Sequence, residues 1–333
     1  MDEQRILVFD IGGTTTRAGV FDLVQGQLVR CVRTTTPSCD THPDAPGDEL
    51  RSMLYQVLAT LATRLDVNAP PVVSVAFPGP VDDAGVALRA PTVWGHDERP
   101  EPVAARLRQL WPSARVLVTN DLSAAGLCFL RSDTDELCVV TVSSGIGHKV
   151  FLRGEPIVGR SGRGGEIGHV RVDFSEGAPR CDCGGIGHLG AVASGRGIRN
   201  RALRLARLDP EGFGRSYLGQ AVAGDLTRLD NRIVARAFCA GDRWTADLIA
   251  ASAEPLGRVL ATIHCAVGIE RFVVIGGIAH ALGPAYLRLI GSAAARSEWA
   301  LGQRWDEMLE LGQLGDDAGL IGAGRLAARC MLE

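Results

Sequence analysis

The chain has 333 residues, of which 46% are hydrophobic and 22% charged, with a formal net charge of -3. This is the composition of a folded chain, long enough for one large domain or two moderate ones. The charge balance leaves no basic footprint for nucleic acid, and no apolar run reaches the length of a membrane span. The polar start MDEQ reads as neither a secretory nor a transit peptide, so a cytoplasmic protein with no nucleic-acid and no membrane partner is expected.

The opening stretch RILVFDIGGTTTRAGVFD is apolar, then rich in Gly and Thr, then apolar again. It predicts strand, tight turn, strand, with Asp10, Gly12, Gly13, Thr14 and Thr15 at the turn. LVRCVRTTT predicts a third strand. Leu50, Met53, Leu54, Val57, Leu58 and Leu61 recur at helical spacing and predict a helix from Gly47 to Leu65. PPVVSVAFPGPV predicts a buried strand ending in a Pro/Gly turn that contains Gly79. A helix is expected over 101–110, another buried strand at ARVLVTND, and a helix at LSAAGLCFL.

LCVVTVSSGIGHKVFLRGEP then repeats the opening pattern, with Ser144, Gly145 and Gly147 at the equivalent turn. The remainder reads as largely helical from about 196 to 268, then a strand in RFVVIGGIA ending at Gly276 and Gly277, then a helix near 318–331. Strands alternating with helices predict an α/β architecture. The boundary is expected near 115–120, with a smaller N-terminal domain at 1–118 and a larger one at 119–317. The C-terminal helix, 318–333, is expected to pack back on the first.

A turn of Gly and Thr aims backbone N–H groups and hydroxyls at one point, which suits a phosphate. Asp10, at the strand end, is placed to hold Mg2+ through water. The same turn also reads as an ordinary hairpin. It lacks GxxxxGKS, and no GxGxxG leads into a helix, which disfavours a P-loop and a dinucleotide fold. The second such turn and the Gly276-Gly277 edge, where a flat adenosine can approach the backbone, strengthen the nucleotide reading. Asp121, after Asn120 at a strand end, suits a general base that takes the proton of an alcohol attacking a γ-phosphate. Taken alone, the pair reads more readily as the N-cap of the following helix.

Cys31, Cys39, Cys128, Cys138, Cys239, Cys265 and Cys330 are scattered and read as reduced buried thiols. Cys181 and Cys183 form a cluster instead. With His169 and His188 they make a two-Cys, two-His set of the kind zinc takes in structural sites. Gly184, Gly185 and Gly187 free the backbone to turn between them. The alternative is a Gly-rich loop holding two thiols and a lone His; CxxC redox chemistry does not fit the spacing.

Taken together, FDIGGTTTRAGVFD, VAFPGPVD, VTNDLSAAG, SSGIG, GRGGEIGHV, CDCGGIGH, VVIGGIA and GDDAGLIGAG resemble, in order, the motifs of the ROK family of sugar kinases and regulators. The resemblance implies an α/β, two-domain actin-like ATPase (ribonuclease H-like) fold with ATP and sugar in an inter-domain cleft. It implies that Asp10, Gly12, Gly13, Thr14 and Thr15 serve the first phosphate motif, and Ser144, Gly145 and Gly147 the second. Gly276 and Gly277 would serve adenosine, and Asp121 would be the catalytic base. Gly79, Thr92, Asn120, Asp121, Glu166 and His169 would contact the acceptor. His169, Cys181, Cys183 and His188 would hold a structural Zn2+, alongside ATP and Mg2+ as cofactors.

Five positions depart from the family pattern. His188 stands where a Cys is usual and preserves a ligand by type. Gly190 stands where the family has a Glu that touches the sugar, and Thr92 where it has an Asn. His148 and Lys149 follow the second turn, where the family continues with glycines. The implied reaction is ATP-dependent phosphorylation of a primary hydroxyl, equivalent to the sugar 6-OH, of glucose or a glucose-like acceptor. The changed contacts leave room for an amino sugar such as kanosamine or a C7-cyclitol of the valiolone or valienone type. A sugar-responsive repressor is disfavoured, because the phosphate turn begins at residue 10 and leaves no room for a helix-turn-helix. A non-catalytic sugar-binding member is disfavoured by intact Asp10 and Asp121. Relatives of this kind imply a homo-oligomer, a dimer being expected.

Overall fold

The computed structural model describes residues 4–313, 315 and 317–332. Asp316, in the GDDAGLIGAG motif, lies outside the described residues. The described strands are β1 (Arg5–Ile11), β2 (Thr15–Asp22), β3 (Gln27–Thr35), β4 (Val72–Phe77), β5 (Arg115–Asn120), β6 (Leu137–Val142), β7 (Ile146–Leu152), β8 (Glu155–Pro156), β9 (Phe272–Ile275) and β10 (Leu309–Leu311). The expected strands at the opening hairpin, PPVVSVAF, ARVLVTN and LCVVTV are all present, as is the helix Gly47–Arg64. Among the described residues no helix is long and apolar enough to cross a membrane.

The chain divides into two compact units of nearly equal length: 1–133 with 154–164 and 314–333, and 134–153 with 165–313. The boundary falls beyond the expected 118, because the helix Asp121–Leu127 packs with the C-terminal helix Ala318–Leu332 in the first unit. A Cβ on Gly322 would lie 1.9 Å from the Ala124 carbonyl oxygen, so these two helices touch backbone to backbone.

In the first unit the sheet order is β3-β2-β1-β4-β5. β1 pairs antiparallel with β2 and parallel with β4. β1 and β4 are apolar on both faces, as strands covered on both sides must be. One face packs on Leu50, Leu54, Leu58 and Leu107. The other packs on the C-terminal helix, where Leu320, Ala323 and Ala327 meet Ile6, Val8 and Phe21. The buried Ser74 hydroxyl donates to the Ala323 carbonyl at 2.7 Å, tying that helix to β4.

In the second unit the strands run β10-β9-β6-β7, with β6 and β7 antiparallel and β6, β9 and β10 parallel. Helices Arg243–Val267 and Gly277–Ala295 pack together in its core, which includes Val140, Phe272, Leu256, Leu260 and Tyr286. The Gly277–Ala295 helix was not expected. It contains a break at Gly283 (φ 67°) followed by Pro284, and a Gly-Pro pair reads locally as a turn. Of the seven scattered cysteines only Cys138 is buried. The expectation of buried thiols fails for the others, which sit on half-exposed or exposed faces.

Candidate active site

The first unit carries one group of the expected residues. The β1–β2 turn is closed by the Gly12 N–H donating to the Thr15 carbonyl at 3.0 Å. The Thr36 N–H donates to the Thr14 carbonyl at 3.0 Å, and the Thr36 hydroxyl donates to the Gly12 carbonyl at 2.7 Å. Thr36 therefore braces the turn from the end of β3 while Thr14 stays exposed. Gly13 packs against Thr92: a Cβ there would lie 2.8 Å from the Thr92 carbonyl oxygen. Two positions assigned to phosphate and acceptor are thus neighbours in space.

Asp10 ends up partly buried, with the Arg17 guanidinium 3.3 Å from its Oδ2. Burial raises its carboxyl above the usual range; Arg17 offsets part of that, and nearby Asp317 adds to it. The N-terminal turn of the C-terminal helix closes against this carboxylate, since a Cβ on Gly319 would lie 2.4 Å from Asp10 Cγ. Sequence reasoning missed Asp317 and Gly319 because nothing local links them to residue 10. One or two carboxylates together match the way Mg2+ is usually held. Gly319→Ala is expected to displace Asp10 and weaken the Mg2+ requirement's midpoint by about tenfold. An Mg2+ titration of activity checks this, and an unshifted midpoint would detach Asp10 from the cation.

At the end of β5 the two readings of Asn120-Asp121 separate. The Asn120 Oδ1 accepts from the Leu122 and Ser123 N–H groups, both at 3.1 Å, and caps the helix Asp121–Leu127. The Asn120 Nδ2 donates to the Gly79 carbonyl and to Asp121 Oδ1, both at 2.9 Å. Asp121 also accepts from the Leu122 N–H at 2.7 Å. Asn120 therefore does the capping and orients a half-exposed carboxylate. Gly79 has φ 101° and its Cβ would lie 2.0 Å from the Arg89 carbonyl oxygen, so only glycine fits there.

The second unit carries the other group. The β6–β7 turn is closed by the Ser143 N–H donating to the Gly145 carbonyl at 2.9 Å. Gly276 sits against its base, with φ 100° and a hypothetical Cβ 2.5 Å from the Val142 carbonyl oxygen. The parallel register Thr141↔Ile275 thus brings the second turn and the Gly276-Gly277 edge together. Arg196, not singled out from sequence, donates from Nε to the Ser144 carbonyl at 3.0 Å and pairs with Asp182. It links this turn to the loop between the two clustered cysteines.

His169, Cys181, Cys183 and His188 converge, with ligand atoms all within 4.8 Å of one another. Cys181 Sγ lies 3.8 Å from His169 Nδ1, and Cys183 Sγ 3.2 Å from His188 Nδ1. Tetrahedral zinc with bonds of about 2.0–2.3 Å spaces its ligands by about 3.3–3.8 Å, so this donor set fits the ion. Gly184 and Gly187 take positive φ to turn the loop, and Gly185 leaves space for the His188 ring. Beside the cluster is a cavity of about 100 Å³ lined by Gly145, Gly168, His169, Gly190, Arg196 and Asn200.

The ROK family pattern matches residues 6–330. The chain is 36% identical to a C(7)-cyclitol 7-kinase of Streptomyces hygroscopicus subsp. jinggangensis, over 97% of this chain and 93% of that protein. It is 32% identical to a 2-epi-5-epi-valiolone 7-kinase of Actinoplanes, over 84% and 79%. A ROK family glucokinase from Streptomyces griseus, solved with glucose and AMPPNP, superposes with a TM-score of 0.72 at 26% identity, covering 97% of this chain and 98% of that one. The mixed α/β fold with two sheets is that of these kinases, the actin-like ATPase fold.

Proposed function

The chain belongs to the ROK family, and on that premise we propose that it phosphorylates a C7-cyclitol, using its exocyclic primary hydroxyl as the equivalent of the sugar 6-OH. It is an ATP-dependent phosphotransferase with a sugar or cyclitol alcohol as acceptor. The observation that carries the cyclitol reading is Gly190. Where the family has a carboxylate for the sugar, this chain has a glycine lining a cavity beside His169. A site that lacks a buried hydrogen-bonding partner loses discrimination in favour of the ligand that needs it. The two cyclitol kinase relatives support the same choice.

In this reading Asp121 takes the proton of the attacking hydroxyl while Asn120 holds its carboxylate in place. Asn120, Glu166 and His169 orient the acceptor, with Gly79 and Thr92 shaping its surroundings. The turns at Asp10–Thr15 and Ser144–Gly147 bind the phosphates of ATP, and Gly276-Gly277 makes room for adenosine. Mg2+ at Asp10 would neutralise phosphate charge. Zinc held by His169, Cys181, Cys183 and His188 would be structural. It would leave one face of the loop to present polar groups to the acceptor.

The test is ADP release with Mg-ATP and a panel of glucose, kanosamine and a valiolone-type cyclitol. The cyclitol is expected to have the highest kcat/KM. Gly190→Glu is expected to raise the glucose-to-cyclitol ratio by about tenfold or more, the worth of one charged hydrogen bond. A Cβ at this position meets the Gly168 carbonyl oxygen at 3.2 Å, which a small shift accommodates. Glucose preferred by the unaltered protein would return it to the glucokinases.

A further inference from the structure

We propose that Lys149 keeps the acceptor site from favouring cationic acceptors by setting a buried ammonium against the Glu166 carboxylate and cancelling its charge. This rests on the reading that Glu166 faces the acceptor. Lys149 is the one lysine in the sequence and is only 1% exposed. Its Nζ lies 3.6 Å from Glu166 Oε1, while the Glu166 side chain remains 36% exposed. Lysine is rarely buried unless paired, so this pair is a constructed feature of the site.

The surrounding backbone is shaped to admit it. Gly165 has φ 92°, and a Cβ there would lie 2.3 Å from Lys149 Nζ and 2.7 Å from its Cδ. The lysine side chain therefore passes beneath Gly165 to reach the next residue. His148 holds the same segment: its N–H donates to the Gly165 carbonyl at 3.5 Å, and its Nδ1 accepts from the Ile167 N–H at 3.4 Å. Burial first, then the Lys149 charge, push the His148 imidazole down to about 4, so it is neutral near pH 7.

A Glu166 carboxylate without this partner would attract an ammonium group on the acceptor. With Lys149 present, the pair carries no net charge and most of that attraction is cancelled. At about 6 Å and an effective dielectric of about 20, the attraction cancelled is on the order of 100-fold. Hydroxyl groups keep their hydrogen bonds to Glu166 and feel no such effect.

The test compares kcat/KM for matched pairs, glucose with glucosamine and an uncharged C7-cyclitol with its aminocyclitol counterpart. Lys149→Met is expected to raise the amino-to-neutral ratio at least about tenfold. A ratio within about twofold of the unaltered protein's, in a variant with the same unfolding midpoint, would overturn the proposal. If the variant does not fold, the other half of the pair decides. Glu166→Gln leaves the Lys149 ammonium unpaired and is expected to lower the amino-to-neutral ratio at least about tenfold, and an unchanged ratio refutes the charge argument. Absence of turnover with every acceptor would instead defeat the kinase reading, and this inference with it.

Discussion

Asp121→Asn is expected to lower kcat by about 10²- to 10⁴-fold, the usual worth of a general base. The substitution is nearly isosteric, and the asparagine oxygen can still accept from the Leu122 N–H that now donates to Asp121 Oδ1 at 2.7 Å. The helix keeps its cap, because Asn120 and not Asp121 accepts from both the Leu122 and Ser123 N–H groups. Stability should therefore move by less than about 0.5 kcal/mol. The loss should appear in kcat for every acceptor alike, with the KM for ATP little changed, because the lost function is proton transfer and not binding. Steady-state kinetics alongside a thermal melt separate the possibilities. A kcat near that of the unaltered protein would remove Asp121 from the chemistry and leave it as a helix-start residue.

Loss of zinc should have the next largest effect. The isolated protein is expected to carry about one zinc per chain, measured by elemental analysis. Cys183→Ser, or treatment with a strong chelator, should release it, lower the unfolding midpoint and raise the acceptor KM by about 10- to 100-fold. The acceptor should suffer more than ATP because His169 sits in the ligand cluster and also lines the cavity at Gly190. Some effect on ATP should follow through Arg196, which pairs with Asp182 between the two cysteines and donates to Ser144. A protein that binds no zinc when supplied with it, and whose acceptor KM is indifferent to Cys183→Ser, would reduce the cluster to a glycine-rich loop.

Much of the candidate site was legible in the chain because its parts are local. The two Gly-rich turns are hairpins within single stretches, and the His/Cys cluster falls within residues 169–188. Glycines bend the loop that joins these side chains, so spacing and residue type were enough to foresee that they converge. His188 in place of a cysteine was readable for the same reason, since the donor type is preserved. The helix Gly277–Ala295 was not readable, because Gly283 and Pro284 interrupt its pattern locally while packing against Arg243–Val267 sustains it.

By itself, then, the sequence determined the α/β class, the hairpin turns, the Asn120-Asp121 pair at a strand end and the grouping of His169, Cys181, Cys183 and His188. Each of these is encoded by backbone preference or side-chain chemistry over a few residues. Tertiary structure alone decided which distant groups meet. Gly319 and Asp317 reach Asp10 because the last helix packs on β1 and β4. Gly276 reaches Val142 through the register of β6 and β9, and Lys149 reaches Glu166 because Gly165 leaves it a path. Such contacts depend on how apolar faces are buried against one another, a property of the assembled core that no single stretch of sequence contains.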